Sequence, residues 1–178
     1  MKTLRVILLT LIFSSTYTII HAQEWQKPAV KDYGKVKLYD DAAMMPDKNI
    51  DYKIVFQLNS DETKEDVNAG LWHMARTMNL LKGSGVPDDH IHLVGVISGK
   101  ATPVVMSNKA YQKKNGKDNP DIKLMKELSD NGAKLYVCGQ AAAEHQITEK
   151  ELNEYVVFTL SALIDIPEFQ YKGYALMP

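Results

Sequence analysis

The chain has one cysteine, Cys138, among 178 residues. A lone thiol cannot close a bridge within its own molecule, so a disulfide framework is excluded as the source of stability. Excess charge is equally scarce, with 21 Lys and Arg against 22 Asp and Glu and a formal net charge of −1. That balance argues against nucleic acid as a partner, because neutralising a phosphate backbone takes clustered cations. The densest basic stretch, YQKKNGK from Tyr111 to Lys117, runs into DNPD at Asp118–Asp121 and reads as a solvated turn. Phosphate-cradling glycine patterns are missing too. GKAT at Gly99 has no glycine-rich loop before it, and no strand is followed by a dinucleotide fingerprint. There is no GxSxG elbow, and Ser98 has no identifiable catalytic partners. His90 and His92 alternate on an expected strand, about 7 Å apart, but no third ligand stands at a recognisable interval. Neither a metal nor a cofactor is expected.

What is present starts with a leader. Lys2 and Arg5 precede the apolar run VILLTLIFSSTYTII, Val6–Ile20, and HAQ then offers Ala22 as the last residue before cleavage. Residues 1–22 therefore read as a secretory signal peptide that sends the chain to the periplasm. A membrane anchor fits less well, because 15 residues containing five Ser or Thr fall short of the about 20 needed to span. Cleavage would leave 178 less 22, or 156 residues, enough for one domain with a sizeable core and without a second apolar stretch for a membrane. Losing Lys2 and Arg5 reduces the 21 cations to 19 against 22 anions, a formal charge of −3.

Residues 23–51 carry charge, two prolines and only brief alternation in KVKLY, so an N-terminal arm is expected, with an edge strand near Val36–Tyr39. From Tyr52 the pattern sharpens. YKIVFQLN favours a strand. Val67, Leu71, Met74, Ala75, Met78 and Leu81 then recur at helical spacing, with Ser60 or Thr63 as the expected cap and Gly83 and Gly85 as the stop. The methionines and Trp72 near this apolar stripe need no explanation beyond core packing. HIHLVGVIS is a second strand, ATPVVMS an extended or turn segment, and NKAYQKKNGK a brief helix. DIKLMKELSDNG is a clearer helix and AKLYVC a third strand. AAAEHQI and TEKEL are short helical pieces, followed by a strand at Tyr155–Thr159, a helix at Leu160–Gln170 despite Pro167, and a last strand in YALM. This order predicts a single three-layer α/β domain over residues 52–178, with a mainly parallel five-stranded sheet covered by helices.

Cys138 then ends the third strand, where open α/β sheets place their ligand crevices. Backbone N–H groups at the start of the next helix favour a thiolate, the nucleophilic form. Gly139 permits close approach to the backbone, Gln140 is placed to orient an anion, and His145 could fold back as a base. Cysteine is also among the residues most often buried, and a strand end followed by glycine is ordinary construction, so packing alone accounts for it at this point.

KLYVCGQ at Lys134–Gln140, the longer run Asn108–Gln140 that contains it, and LSALIDIPEFQYKGYALMP at Leu160–Pro178 resemble the exported branch of the DsrE/DsrF-like family, whose broader members are sulfur-relay proteins. The resemblance covers about Tyr52–Pro178. It implies a compact α/β domain, homotrimers or homohexamers, and a cysteine that in some members carries sulfur as a persulfide. Cys138 falls on that cysteine, with Gly139 and Gln140 on its flanking positions. Two positions depart from the pattern. Ser98, ahead of Gly99, stands where exported members often carry His, and serine cannot hold a proton at neutral pH as imidazole does. Ala141 replaces a common Ser after CGQ, which removes a hydroxyl donor near the sulfur.

Two functional expectations remain. The first is a periplasmic sulfur-handling protein, a persulfide carrier or transferase, in which Cys138 reacts with a thiol or persulfide partner protein and Gly139, Gln140, Ser98, Gly99 and His145 support it. The second is a non-catalytic oligomeric α/β binding module with a structural cysteine. Asp165, within LSALIDI, fits a crevice, a subunit interface or solvent equally well.

Overall fold

The computed structural model describes residues 24–178, so the expected signal peptide lies outside the described residues. Strand-favouring Tyr52–Leu58 forms β1. The polar segment after it is a short antiparallel hairpin, β2 (Thr63–Lys64) and β3 (Val67–Asn68), turned by Glu65 and Asp66 in left-handed conformations with φ of 51° and 65°. That hairpin delays α1 to Ala69–Gly83, and the cap is Asn68, not Ser60 or Thr63. The Asn68 side-chain oxygen accepts the N–H groups of Gly70 and Leu71, which have no carbonyl partner within the helix. Val67, assigned to the helix by its spacing, is in β3.

After a 3-10 turn at Asp88–His90 comes β4 (Ile91–Ile97). His90 thus precedes the strand, and the pairing of His90 with His92 on one strand face does not form. ATPVVMS is not extended: Gly99–Val105 is a 3-10 helix, pinned by the Thr102 hydroxyl donating to the Gly99 carbonyl at 2.7 Å. The chain continues through α2 (Asn108–Asn115), α3 (Ile122–Asp130), β5 (Lys134–Cys138) and α4 (Gly139–Glu144). A 3-10 turn at Glu149–Glu151 leads to β6 (Val156–Thr159), α5 (Ala162–Tyr171) and β7 (Ala175–Met177).

The five-stranded sheet has the order β6-β5-β4-β1-β7, and every pairing in it is parallel. From β1 to β6 each new strand is added on the same side, so right-handed crossovers place the connecting helices on one face. The step from β6 to β7 runs back across the sheet, and the same handedness puts α5 on the opposite face, over β1 and β4. One face is therefore thickly covered by α1 and α3, and α5 lies across the other.

Alternation along the strands divides the core accordingly. Phe56, Leu58, Leu93, Ile97, Leu135 and Val137 join α1 and α3 in the larger cluster. Val55, Val94, Val96 and Cys138 face the other way and pack with Ala141 and Ala162. The arm rests on the thick side. In place of an edge strand at Val36–Tyr39 it makes an isolated bridge between Gln26 and Val36. Asn79, fully buried in α1, clamps it: its oxygen accepts from Ala29 and Val30 N–H, and its amide donates to the Val30, Tyr33 and Gly34 carbonyls.

Candidate functional site

Cys138 is the last residue of β5 and the N-cap of α4, a position that turns its side chain toward the helix's first N–H groups. The Ala141 N–H donates to Sγ at 3.5 Å. A second helix start converges on the same atom: Ser161 caps α5, and its Oγ lies 3.9 Å from Sγ. Burial pushes the Cys138 thiol up. The Ala141 and Ala162 N–H groups, the Ser161 hydroxyl and the Gln140 N–H outweigh it and hold the group below the ordinary thiol value. The positive ends of two helices thus face one sulfur.

Ser161 is the residue that sequence reading missed. Ala141 removes a hydroxyl on the cysteine's own helix, and Ser161 supplies one from across the sheet edge. Its signal was available in LSALIDI, where serine precedes an apolar helical run as a cap does. Asp165 is also placed by this segment. It lies in the first turn of α5 and accepts a hydrogen bond from the Thr159 hydroxyl.

The other expected site residues separate into two groups. Gly139 and Gln140 stay beside the sulfur. Gly139 is buried, and a Cβ there would stand 2.6 Å from the Thr159 carbonyl and 2.8 Å from the Phe158 ring, so its close approach is to β6. The Gln140 amide donates to the Leu160 carbonyl at 3.2 Å, tying α4 to the segment that leads into α5. Ser98, Gly99 and His145 gather elsewhere. Ser98 follows β4 and donates its N–H to the Leu58 carbonyl, while Gly99 bends with φ of 52°. His145 caps the far end of α4 and its Nε2 bonds to the Gly99 carbonyl at 2.9 Å. Seven residues of helical rise place it roughly 10 Å from Cys138. No group of three side chains able to hold a metal ion occurs among the described residues. None of the described helices is long and apolar enough to cross a membrane.

The domain that carries this arrangement has a counterpart among sequence families. The DsrE/DsrF-like family model matches residues 52–178. The chain belongs to the DsrE/DsrF-like family. Its fold is shared with a protein of unknown function, MTH1491 from Methanobacterium thermoautotrophicum, at a TM-score of 0.56 and 18% identity. That likeness covers 71% of this chain and 98% of the other. No curated protein matches the chain. Family membership supports a role related to sulfur relay, and it leaves the arm outside the matched region.

Proposed function

We propose that this is an exported, periplasmic sulfur-handling protein of the family's exported branch, in which Cys138 carries sulfur as a persulfide. The observation behind it is the convergence of three backbone N–H groups and the Ser161 hydroxyl on one thiol. The Cys138 thiolate attacks the outer sulfur of a donor persulfide R–S–SH. A bond forms between Sγ and that sulfur, the donor S–S bond breaks, and RS⁻ leaves with the electron pair. An acceptor thiolate then attacks the terminal sulfur and Cys138 departs as thiolate. The sulfane sulfur changes carriers with no net oxidation, so the cycle needs neither metal nor cofactor. Donor and acceptor are thiol or persulfide proteins on this reading.

Access governs the rate. Cys138 is 5% exposed and adjoins the Leu160–Ser161 segment, which the Gln140 amide holds at the Leu160 carbonyl and the first turn of α5 holds at Ser161. Displacing that segment opens the sulfur. The same low exposure favours the second reading, a binding module with a structural cysteine. Polysulfide treatment followed by intact mass separates the two. A carrier gains a single added sulfur of about 32 Da, and Cys138→Ser gains none. A protein with no adduct at Cys138 is the binding module.

The assembly belongs to the proposal. Leu160 and Leu163 are 70% and 83% exposed, and Phe158 and Ile164 are also open to solvent. A second copy of this chain, in a homotrimer or homohexamer, would cover this apolar surface and shelter the entrance to the thiol.

A further inference from the structure

A cavity of about 800 Å³ lies away from Cys138, between the β2–β3 hairpin, the 3-10 helix after β4, and the loop leading into α3. Asp121 is part of its wall and is 4% exposed. An aspartate at the N-cap of a helix ordinarily accepts that helix's first N–H groups, but the Asp121 side chain makes no such bond to α3. Its Oδ1 accepts the Asn68 N–H at 2.6 Å instead. Among the described residues no hydrogen bond is made to Oδ2, and Asp121 is part of the cavity wall. Burial pushes the Asp121 carboxyl above the ordinary carboxylate range, and the Asn68 N–H offsets only part of that rise. A buried carboxylate is costly to ionise alone, and a cation beside it offsets that cost and favours the charged form.

The rest of the wall restricts what that cation belongs to. Lys100 and Lys117 line the same cavity, and among the described residues neither pairs with a carboxylate. A polyamine would meet these two ammonium groups as repulsion, and a simple anion would meet Asp121, Asp61 and Asp66 in the same way. A molecule with both charges a few bonds apart satisfies both sides. Tyr111, Pro103 and Val104 give it an apolar wall, and the volume falls within the usual range for small-molecule sites.

We propose that this cavity binds a small zwitterion of the free α-amino-acid class, its ammonium group on Asp121 and its carboxylate facing Lys100 and Lys117. The site stands apart from the Cys138 chemistry and does not depend on it.

Isothermal titration of the full protein at neutral pH, with individual free α-amino acids, putrescine and acetate as probes, tests the assignment. At least one amino acid binds, and neither putrescine nor acetate matches it. Asp121→Asn keeps the acceptor for the Asn68 N–H and weakens amino-acid binding by about 30-fold or more, as loss of one partner of a buried charge pair does. Lys100→Ala combined with Lys117→Ala, both at exposed positions, also weakens it, which keeps the test decisive if the Asp121 variant misfolds. Binding of putrescine or acetate alone, no amino-acid binding, or unchanged affinity in the folded variants would overturn the assignment. Unchanged polysulfide adduct formation in Asp121→Asn would keep this result separate from the fate of the sulfur-carrier reading.

Discussion

Removing the Ser161 hydroxyl takes one of four donors from the Cys138 sulfur, and the three N–H groups remain. Ser161→Ala should therefore raise the midpoint of alkylation against pH by about one unit or less. The substitution also deletes the α5 cap, so Ser161→Asp is the control: it keeps a capping oxygen and adds a negative charge beside the thiolate. A larger rise in Ser161→Asp than in Ser161→Ala identifies the effect as electrostatic, whereas identical midpoints in all three proteins would remove Ser161 from the site. Asp121 makes the opposite demand on pH. Its folded pKa is raised, so its contribution to stability is complete below the ordinary carboxylate range and is lost as pH rises through the raised value. Asp121→Asn cannot ionise. The variant should match the wild type in urea unfolding at acid pH and exceed it at neutral pH, while a gap of the same size at both pH values would contradict the burial argument.

At the scale of elements, the fold was legible wherever one periodicity dominated. The apolar spacing of Leu71, Met74, Ala75, Met78 and Leu81 placed α1, and the unalternated HIHLVGVIS placed β4. Boundaries set by long-range contacts were not legible. Asn68 caps α1 while its own N–H is held by Asp121, 53 residues away, and no local pattern announces that pairing. The site divided in the same way. The strand-end position of Cys138 follows from sequence order, whereas the convergence of α5 on it requires the sheet order that brings β6 beside β5. The arm shows the same dependence on distant partners. One buried amide at Asn79 makes five hydrogen bonds to the backbone of residues 29–34. Asn79→Ala leaves those groups unpaired and should cost roughly 2–4 kcal/mol in denaturant unfolding, with proteolysis starting in the arm. Wild-type stability and an uncut arm would show that other contacts hold it.

Across the whole molecule the two sides of the sheet are unequal, and the inequality has a single topological cause. Only the last crossover runs backward, so α5 lies across β1 and β4 while the outer strand β6 keeps Val157 and Phe158 exposed. The Asp165 carboxylate is engaged by Thr159, which leaves Leu160, Leu163 and Ile164 as an apolar edge close to the thiol. If a second copy covers that edge, Leu160→Glu combined with Leu163→Glu should convert a trimer or hexamer into monomers by light scattering, because the glutamates would be desolvated at the contact. Both positions are exposed in the single chain, so circular dichroism should stay unchanged. A wild type that is already monomeric would dismiss the assembly. Alkylation of Cys138 adds an independent reading, since Ser161 Oγ lies 3.9 Å from its sulfur and an interface over Leu160 would restrain that neighbouring segment. The monomeric variant should then react faster than the wild type at the same pH, whereas an equal rate would place the interface on another surface.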